Sequence, residues 1–175
     1  MARMYRAQDE ATRQLYHPFP FDRFRLTLIF GFFAVSRPFL PFLIRRFPRR
    51  AVACLVACRA GESRPIAYGT TGFHATPDGG RRAIFGYLVD PSARGLGVGT
   101  ELHVHMIDAA VALGVTRGGG MVVATNRSNL RVLEKLGFTI TESDVVDTEV
   151  PGAKNYVTDG DLPELARRWR AAHPR

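Results

Sequence analysis

Arg94, Gly95, Gly97 and Gly99 stand in the stretch VDPSARGLGVGTEL, residues 89–102, between an apolar run and the start of a helix-like pattern. These residue types suit an anion. A helix N-terminus presents unpaired N–H groups and the positive end of its dipole. Glycine carries no side chain, so a phosphate can approach that backbone closely. The stretch is not a P-loop, because no Gly-Lys-Ser/Thr follows. It also lacks the glycine spacing of a dinucleotide fingerprint and a suitably placed acidic ribose ligand. Taken alone it leaves two readings open: a phosphate or pyrophosphate cradle, and a glycine-rich strand-to-helix turn.

Other chemistry-bearing residues give weaker signals. His103 and His105 are two apart on the following helix and cannot share a face, so they are no metal pair. With His17 they read as structural or exposed. Cys54 and Cys58 in CLVAC fall on one face of a strand, roughly 13 Å apart at about 3.3 Å per residue, too far for a disulfide. No second Cys or His pair has zinc spacing, and no metal is expected. The cysteines read as small buried apolar residues, which fits a reducing compartment.

The elements that must position these residues alternate in type. Residues 51–59 and 66–75 read as strands, TPDGG as a hairpin signal, and 81–90 as a third strand. Residues 99–113 form a helix with Leu102, Met106, Ala109, Ala110 and Leu113 on one side. A buried strand follows at 120–125, then a helix at 128–136 stopped by Gly137. Residues 138–150 and 151–160 read as two more strands, and 161–172 as an amphipathic helix. Upstream, 8–16 reads as a short polar helix, and 24–36 and 38–47 as apolar ones.

Two motifs at the right separation sharpen the opening question. The stretch Val89-x-Pro91-x-x-Arg94-Gly95-Leu96-Gly97-Val98-Gly99 is followed by GVTRGGGMVVATNRSNLRVLEKLGF, residues 114–138. Arg94, Gly97 and Gly99, with Asn126 and the closing EKLGF, resemble the signatures of the GNAT superfamily of N-acetyltransferases. The resemblance implies an α/β fold, a mixed central sheet of about six or seven strands flanked by helices, in one domain over 1–175. It implies acetyl-CoA as cosubstrate, with an amine acceptor attacking the thioester directly. Arg94, Gly95, Leu96, Gly97, Val98, Gly99 and Thr100 would wrap the pyrophosphate. Tyr87, Leu88 and Val89 would splay from the next strand and hydrogen-bond the pantetheine, and Asn126 would face the cofactor. A weaker resemblance is to bacterial protein-lysine acetyltransferases and to ribosomal-protein N-terminal acetyltransferases, both of which act on protein amines.

Two departures concern the proton. Many superfamily members carry a tyrosine general acid seven residues after the motif asparagine; Leu133 stands there. The lysine acetyltransferases carry a glutamate on the strand before the loop; by spacing from Arg94, that position is Ile84. Substitute candidates are Tyr87, His74, Tyr156, Asp144, Asp147 and Glu149. Three function classes therefore stand: an N-acyltransferase, a catalytically silent acyl-CoA-binding module, and a membrane- or protein-docking adaptor.

The adaptor reading comes from composition. The chain has 175 residues, 46% hydrophobic and 23% charged, as expected of an ordinary globular domain. Its net charge of +8 sits in residues 1–65, which hold twelve Arg against four acids. Nine of the twelve Phe lie in residues 19–47. By the resemblance, residues 10–50 would form helices flanking the acceptor site. The basic, Phe-rich segment 19–50 would suit an acidic protein, a membrane surface or a second copy of the chain. Nucleic acid is not expected, since the aromatic residues have no regular spacing. The most apolar run, residues 26–36, is eleven residues, short of the about 20 that span a bilayer. No secretory signal is evident, and the expected location is cytoplasmic, peripheral to the membrane if that segment docks there.

Overall fold

Apolar runs rich in β-branched and aromatic residues, bounded by turn residues, build an antiparallel meander of β1 (Val52–Cys58), β2 (Pro65–Ala75) and β3 (Arg81–Val89). The computed structural model describes residues 4, 7–9, 12, 52–77, 79–146 and 153–174. The helices expected over 24–36 and 38–47, His17, Asp147, Glu149 and the Phe-rich segment 19–50 lie outside the described residues. After β3 come a short 3-10 turn (Pro91–Ala93), α1 (Val98–Ala112), β4 (Arg117–Val123), α2 (Arg127–Leu136), β5 (Thr139–Val146), β6 (Lys154–Asp161) and α3 (Leu162–Ala172). Among the described residues, no helix is long and apolar enough to cross a membrane.

The six strands form one mixed sheet in the order β1-β2-β3-β4-β6-β5, antiparallel except for β3 and β4. The parallel contact is brief: Arg82 pairs with Arg117 and Ala83 with Gly118, and no later residue of β3 has a β4 partner. From Ile84 onward the two strands diverge, opening a gap that widens toward the glycine stretch. One sheet face is covered by the three helices. Ala83, Val122 and Phe73 pack there with Val104, Ile107, Leu130, Leu133, Leu136 and Leu162 in a single apolar cluster. The alternation of a pleated strand turns Ile84, Met121 and Val157 to the opposite face, which is open at these three positions and closed at Tyr68 and Leu88.

The closed end of the gap rests on glycine. Gly119 has φ +143°, and a Cβ there would stand 2.0 Å from the Thr158 carbonyl oxygen. Only glycine lets β4 and β6 approach so closely. The Thr158 hydroxyl bonds both Gly120 N–H and Gly120 C=O at 3.0 Å, restoring the ladder bonds that this distortion would otherwise lose.

Cys58 departs from its expected burial. A bulge between Ala57 and Cys58 shifts the register at the end of β1, leaving Cys58 exposed and Cys54 half-buried, both as free thiols.

Candidate functional site

The turn into the glycine stretch is made locally. The Asp90 carboxylate accepts from Ser92 N–H at 3.0 Å and from the Ser92 hydroxyl at 2.7 Å, closing the 3-10 turn. Gly95 and Gly97 then take positive φ, +76° and +79°. Gly97 is the N-cap of α1 and has no capping side chain, so the first turn of the helix stays uncovered. Among the described residues no acceptor takes the N–H groups of Gly95, Leu96, Gly97, Val98 or Gly99. A Cβ at Gly95 or Gly97 would meet nothing within 4 Å, so the space over these amides is open. The loop is thus a row of free donors at the positive end of a fifteen-residue helix. Thr100 is buried and bonds back to Gly97 C=O at 3.0 Å, which holds the turn.

The wall beneath is β3. Asp90 N–H donates to Ile66 C=O at 2.8 Å, which fixes the alternation of the β2–β3 ladder. By that alternation Leu88 turns its backbone groups into β2, whereas Tyr87 and Val89 turn theirs toward the gap. Of the three strand residues expected to reach a ligand, Leu88 pairs with Tyr68 in the ladder and has a buried side chain.

Arg94 is engaged with the N-terminal segment. It donates to Gln8 Oε1, to Asp9 at 3.4 Å and to Thr12 Oγ1 at 3.3 Å. The Asp9 carboxylate accepts from Thr12 N–H, and this bond, the Thr12 hydroxyl and Arg94 hold its pKa down at about 2. Asn126 is the N-cap of α2: its Oδ1 accepts from Asn129 N–H at 3.3 Å and from the Ser128 hydroxyl at 3.2 Å. Its carbonyl end is engaged there, at the mouth of the gap on the β4 side.

Tyr87 reaches across the divergence. Its hydroxyl donates to Asn129 Oδ1 at 3.0 Å, linking β3 to α2. Burial pushes the phenol above its ordinary range, so it stays protonated and is no base. Gly99 packs on the Tyr87 ring, since a Cβ there would lie 3.1 Å from Cε2. Of the other proton-handling candidates, Tyr156 faces the helices and packs on the core. Asp144 is exposed on β5, the strand farthest from β3 on the β4 side. Leu133 is a core residue, and Ile84 is 40% exposed on the open face where the gap begins. His74 lies on that same face. It is exposed, its neighbour Phe73 points into the core, and its Nε2 stands 3.8 Å from where a Cβ on Gly72 would sit. Gly72 is the β2 partner of Ile84, so the imidazole leans toward the closed end of the gap.

His103 was expected to be structural or exposed, and it is the most enclosed histidine described, 2% exposed. Its ring packs among Phe85, Tyr87 and Phe138, with centroids 4.8, 5.5 and 5.6 Å away. Neither ring nitrogen has a hydrogen-bond partner among the described residues. Burial lowers its pKa to about 3. Unfolding exposes a ring that protonates near pH 6.5, while the folded ring stays neutral. The unfolded state therefore binds more protons between pH 6.5 and 3, and stability falls as pH falls through that window, by up to about 1.4 kcal/mol per unit. His103→Leu is expected to flatten this part of the stability curve in denaturant titrations at pH 5 and pH 7.5. An unchanged difference between the two pH values would count against this account.

Sequence reasoning had no signal for Gln8, Asp9 and Thr12, nor for the Tyr87–Asn129 bond. It did identify the uncovered amides and the divergence of β3. Among the described residues no cluster of His, Cys, Asp and Glu could hold a metal ion.

Comparison with known proteins gives a matching family model, the acetyltransferase (GNAT) family, over residues 4–138. Among solved structures, yncA from Salmonella typhimurium, determined with its cofactor acetyl-CoA, is 19% identical; the match covers 68% of this chain and 69% of that one, with a TM-score of 0.53. The ribosomal-protein-alanine N-acetyltransferase from Brucella melitensis is 17% identical over 73% of this chain and 77% of that one, with a TM-score of 0.54. An N-acetyltransferase from Staphylococcus aureus Mu50 is 20% identical over 68% and 73%, with a TM-score of 0.53. At these identities the likeness is one of fold, and it agrees with the mixed six-stranded sheet. Among curated proteins, none matches the chain by sequence.

Proposed function

Because the chain belongs to the acetyltransferase (GNAT) family, we propose that it transfers an acetyl group from acetyl-CoA to a primary amine of a protein or small molecule. The observation that carries this reading is the row of open amides from Gly95 to Gly99 beside a β3 edge with no β4 partner. The residues present fit the cosubstrate: free donors for the pyrophosphate, and the Tyr87 and Val89 backbone for the pantetheine amides. Acetyl-CoA, when bound, supplies the activated acyl carbon.

The chain's own residues do the rest. The Tyr87 N–H, aimed into the gap two residues farther from the glycine loop, donates to the carbonyl oxygen as it gains charge, leaving Val89 N–H to the pantetheine. The helix face is filled by core, so the acceptor approaches from the open face, past Ile84 and Met121. His74, on β2 across the ladder from Arg82, is the described imidazole on that face, and it takes the proton of the arriving ammonium through intervening water. Arg82, opposite it in the ladder, has its charge held by Asp159 at 2.7 Å. The neutral amine forms the new N–C bond as the C–S bond breaks. Its second proton goes to the departing thiolate.

The test is thiol release from acetyl-CoA with a panel of amines, paired with CoA binding. His74→Gln is expected to lower kcat/KM about a hundredfold and leave CoA affinity unchanged. Unaltered turnover in that variant would remove His74 from the mechanism. A second reading, a silent acyl-CoA-binding module, is favoured by the apolar Ile84 and the core position of Leu133. Tight CoA binding without thiol release toward any acceptor would select it.

A further inference from the structure

We propose that Gln8 is a positioning residue of the acyl-CoA site, setting the open edge of β3 and the glycine loop relative to one another. The inference rests on the acyl-CoA reading above. Gln8 is 3% exposed, and each polar atom of its carboxamide has a partner. Nε2 donates to Val89 C=O at 3.1 Å and to Met4 C=O at 3.0 Å, and Oε1 accepts from Arg94 Nη2. The amide orientation is dictated by those partners, since arginine offers only donors and the two carbonyls only lone pairs. One side chain therefore joins the last residue of β3 to the residue that opens the glycine loop.

Two consequences follow for the site. The Val89 carbonyl points into the gap but is already bonded, so Val89 faces a ligand with its N–H alone. Arg94 is drawn away from the amides by Gln8, Asp9 and Thr12, so it shapes the loop and leaves anion binding to the backbone. A glutamine is required for both arms at once. Leucine provides neither, and glutamate keeps the arginine arm while setting a carboxylate oxygen against two carbonyl oxygens.

The experiment compares wild type, Gln8→Leu and Gln8→Glu by calorimetric CoA binding, steady-state kinetics in acetyl-CoA, and amide hydrogen exchange. Both variants are expected to raise the CoA dissociation constant and the KM for acetyl-CoA about tenfold. Turnover at saturating acetyl-CoA should change less than about twofold. Faster exchange should be confined to Val89 and residues 94–100. A general loss of structure would spread exchange over β1 and β5 as well and would overturn the inference. Should Gln8→Leu fail to fold, Gln8→Glu carries the test. Wild type that binds CoA while Gln8→Glu binds it equally well overturns the role of Gln8 alone. Wild type that does not bind CoA removes the acyl-CoA reading beneath it.

Discussion

Gly97→Val is expected to weaken CoA binding at least about a hundredfold while leaving the fold intact. Gly97 sits at φ +79°, where a β-branched residue is strained by roughly 1–2 kcal/mol or more. To relieve that strain the loop must rotate the peptide planes whose N–H groups form the anion site. The valine side chain would also stand in the open space above them, where an approaching phosphate needs bare backbone. Among the described residues nothing lies within 4 Å of that Cβ position, so no core contact is lost. Far-ultraviolet dichroism should match wild type, and calorimetry should show little or no heat with CoA. Gly97→Ala, with less bulk, should lose about tenfold. Wild-type affinity in the valine variant would place the coenzyme elsewhere.

Gly119→Ala is expected to act on the fold. Its Cβ would lie 2.0 Å from the Thr158 carbonyl oxygen and 2.7 Å from the carbonyl carbon, both backbone atoms. Relief requires moving β6 away from β4 in the middle of the sheet. Arg82 Nη2, which donates to that same carbonyl at 3.0 Å, would be displaced with it. Overpacking and a strained φ together should cost about 3–5 kcal/mol. For a chain of this size that corresponds to a fall in Tm of roughly 10 °C. A melt within about 2 °C of wild type would mean that the strands can separate at little cost.

Much of this arrangement was legible because its causes are local. Strands β1 to β3 follow from apolar runs broken by turn residues, and α2 from Asn126 at its start and Gly137 at its end. The glycine loop announces itself because positive φ and free amides need glycine at those positions. Gln8 was not legible: its partners Val89 and Arg94 stand 81 and 86 positions away, and no local pattern marks a glutamine for burial. For the same reason the bonds of Arg94 to Gln8, Asp9 and Thr12 were not legible. His103, read as structural or exposed, is structural; which of the two holds was not legible, because its surroundings are assembled from Phe85 and Tyr87 on β3 and Phe138 just before β5. His74 was legible as a candidate, but its value depends on Gly72, across the ladder from Ile84, leaving room for the ring to lean over.

The brief contact between β3 and β4 has a mechanical consequence. The sheet is two three-stranded blades whose shared ladder is two residue pairs, with Arg82 on Thr158 and Asp159 and the Tyr87–Asn129 bond as cross-ties and one apolar cluster beneath both. Along the outer part of the gap no backbone bond joins β3 to β4. A ligand that bonds both free edges acts as a splint between them. Its binding energy then adds directly to the rigidity of the whole sheet, and thermal stability should climb with ligand concentration.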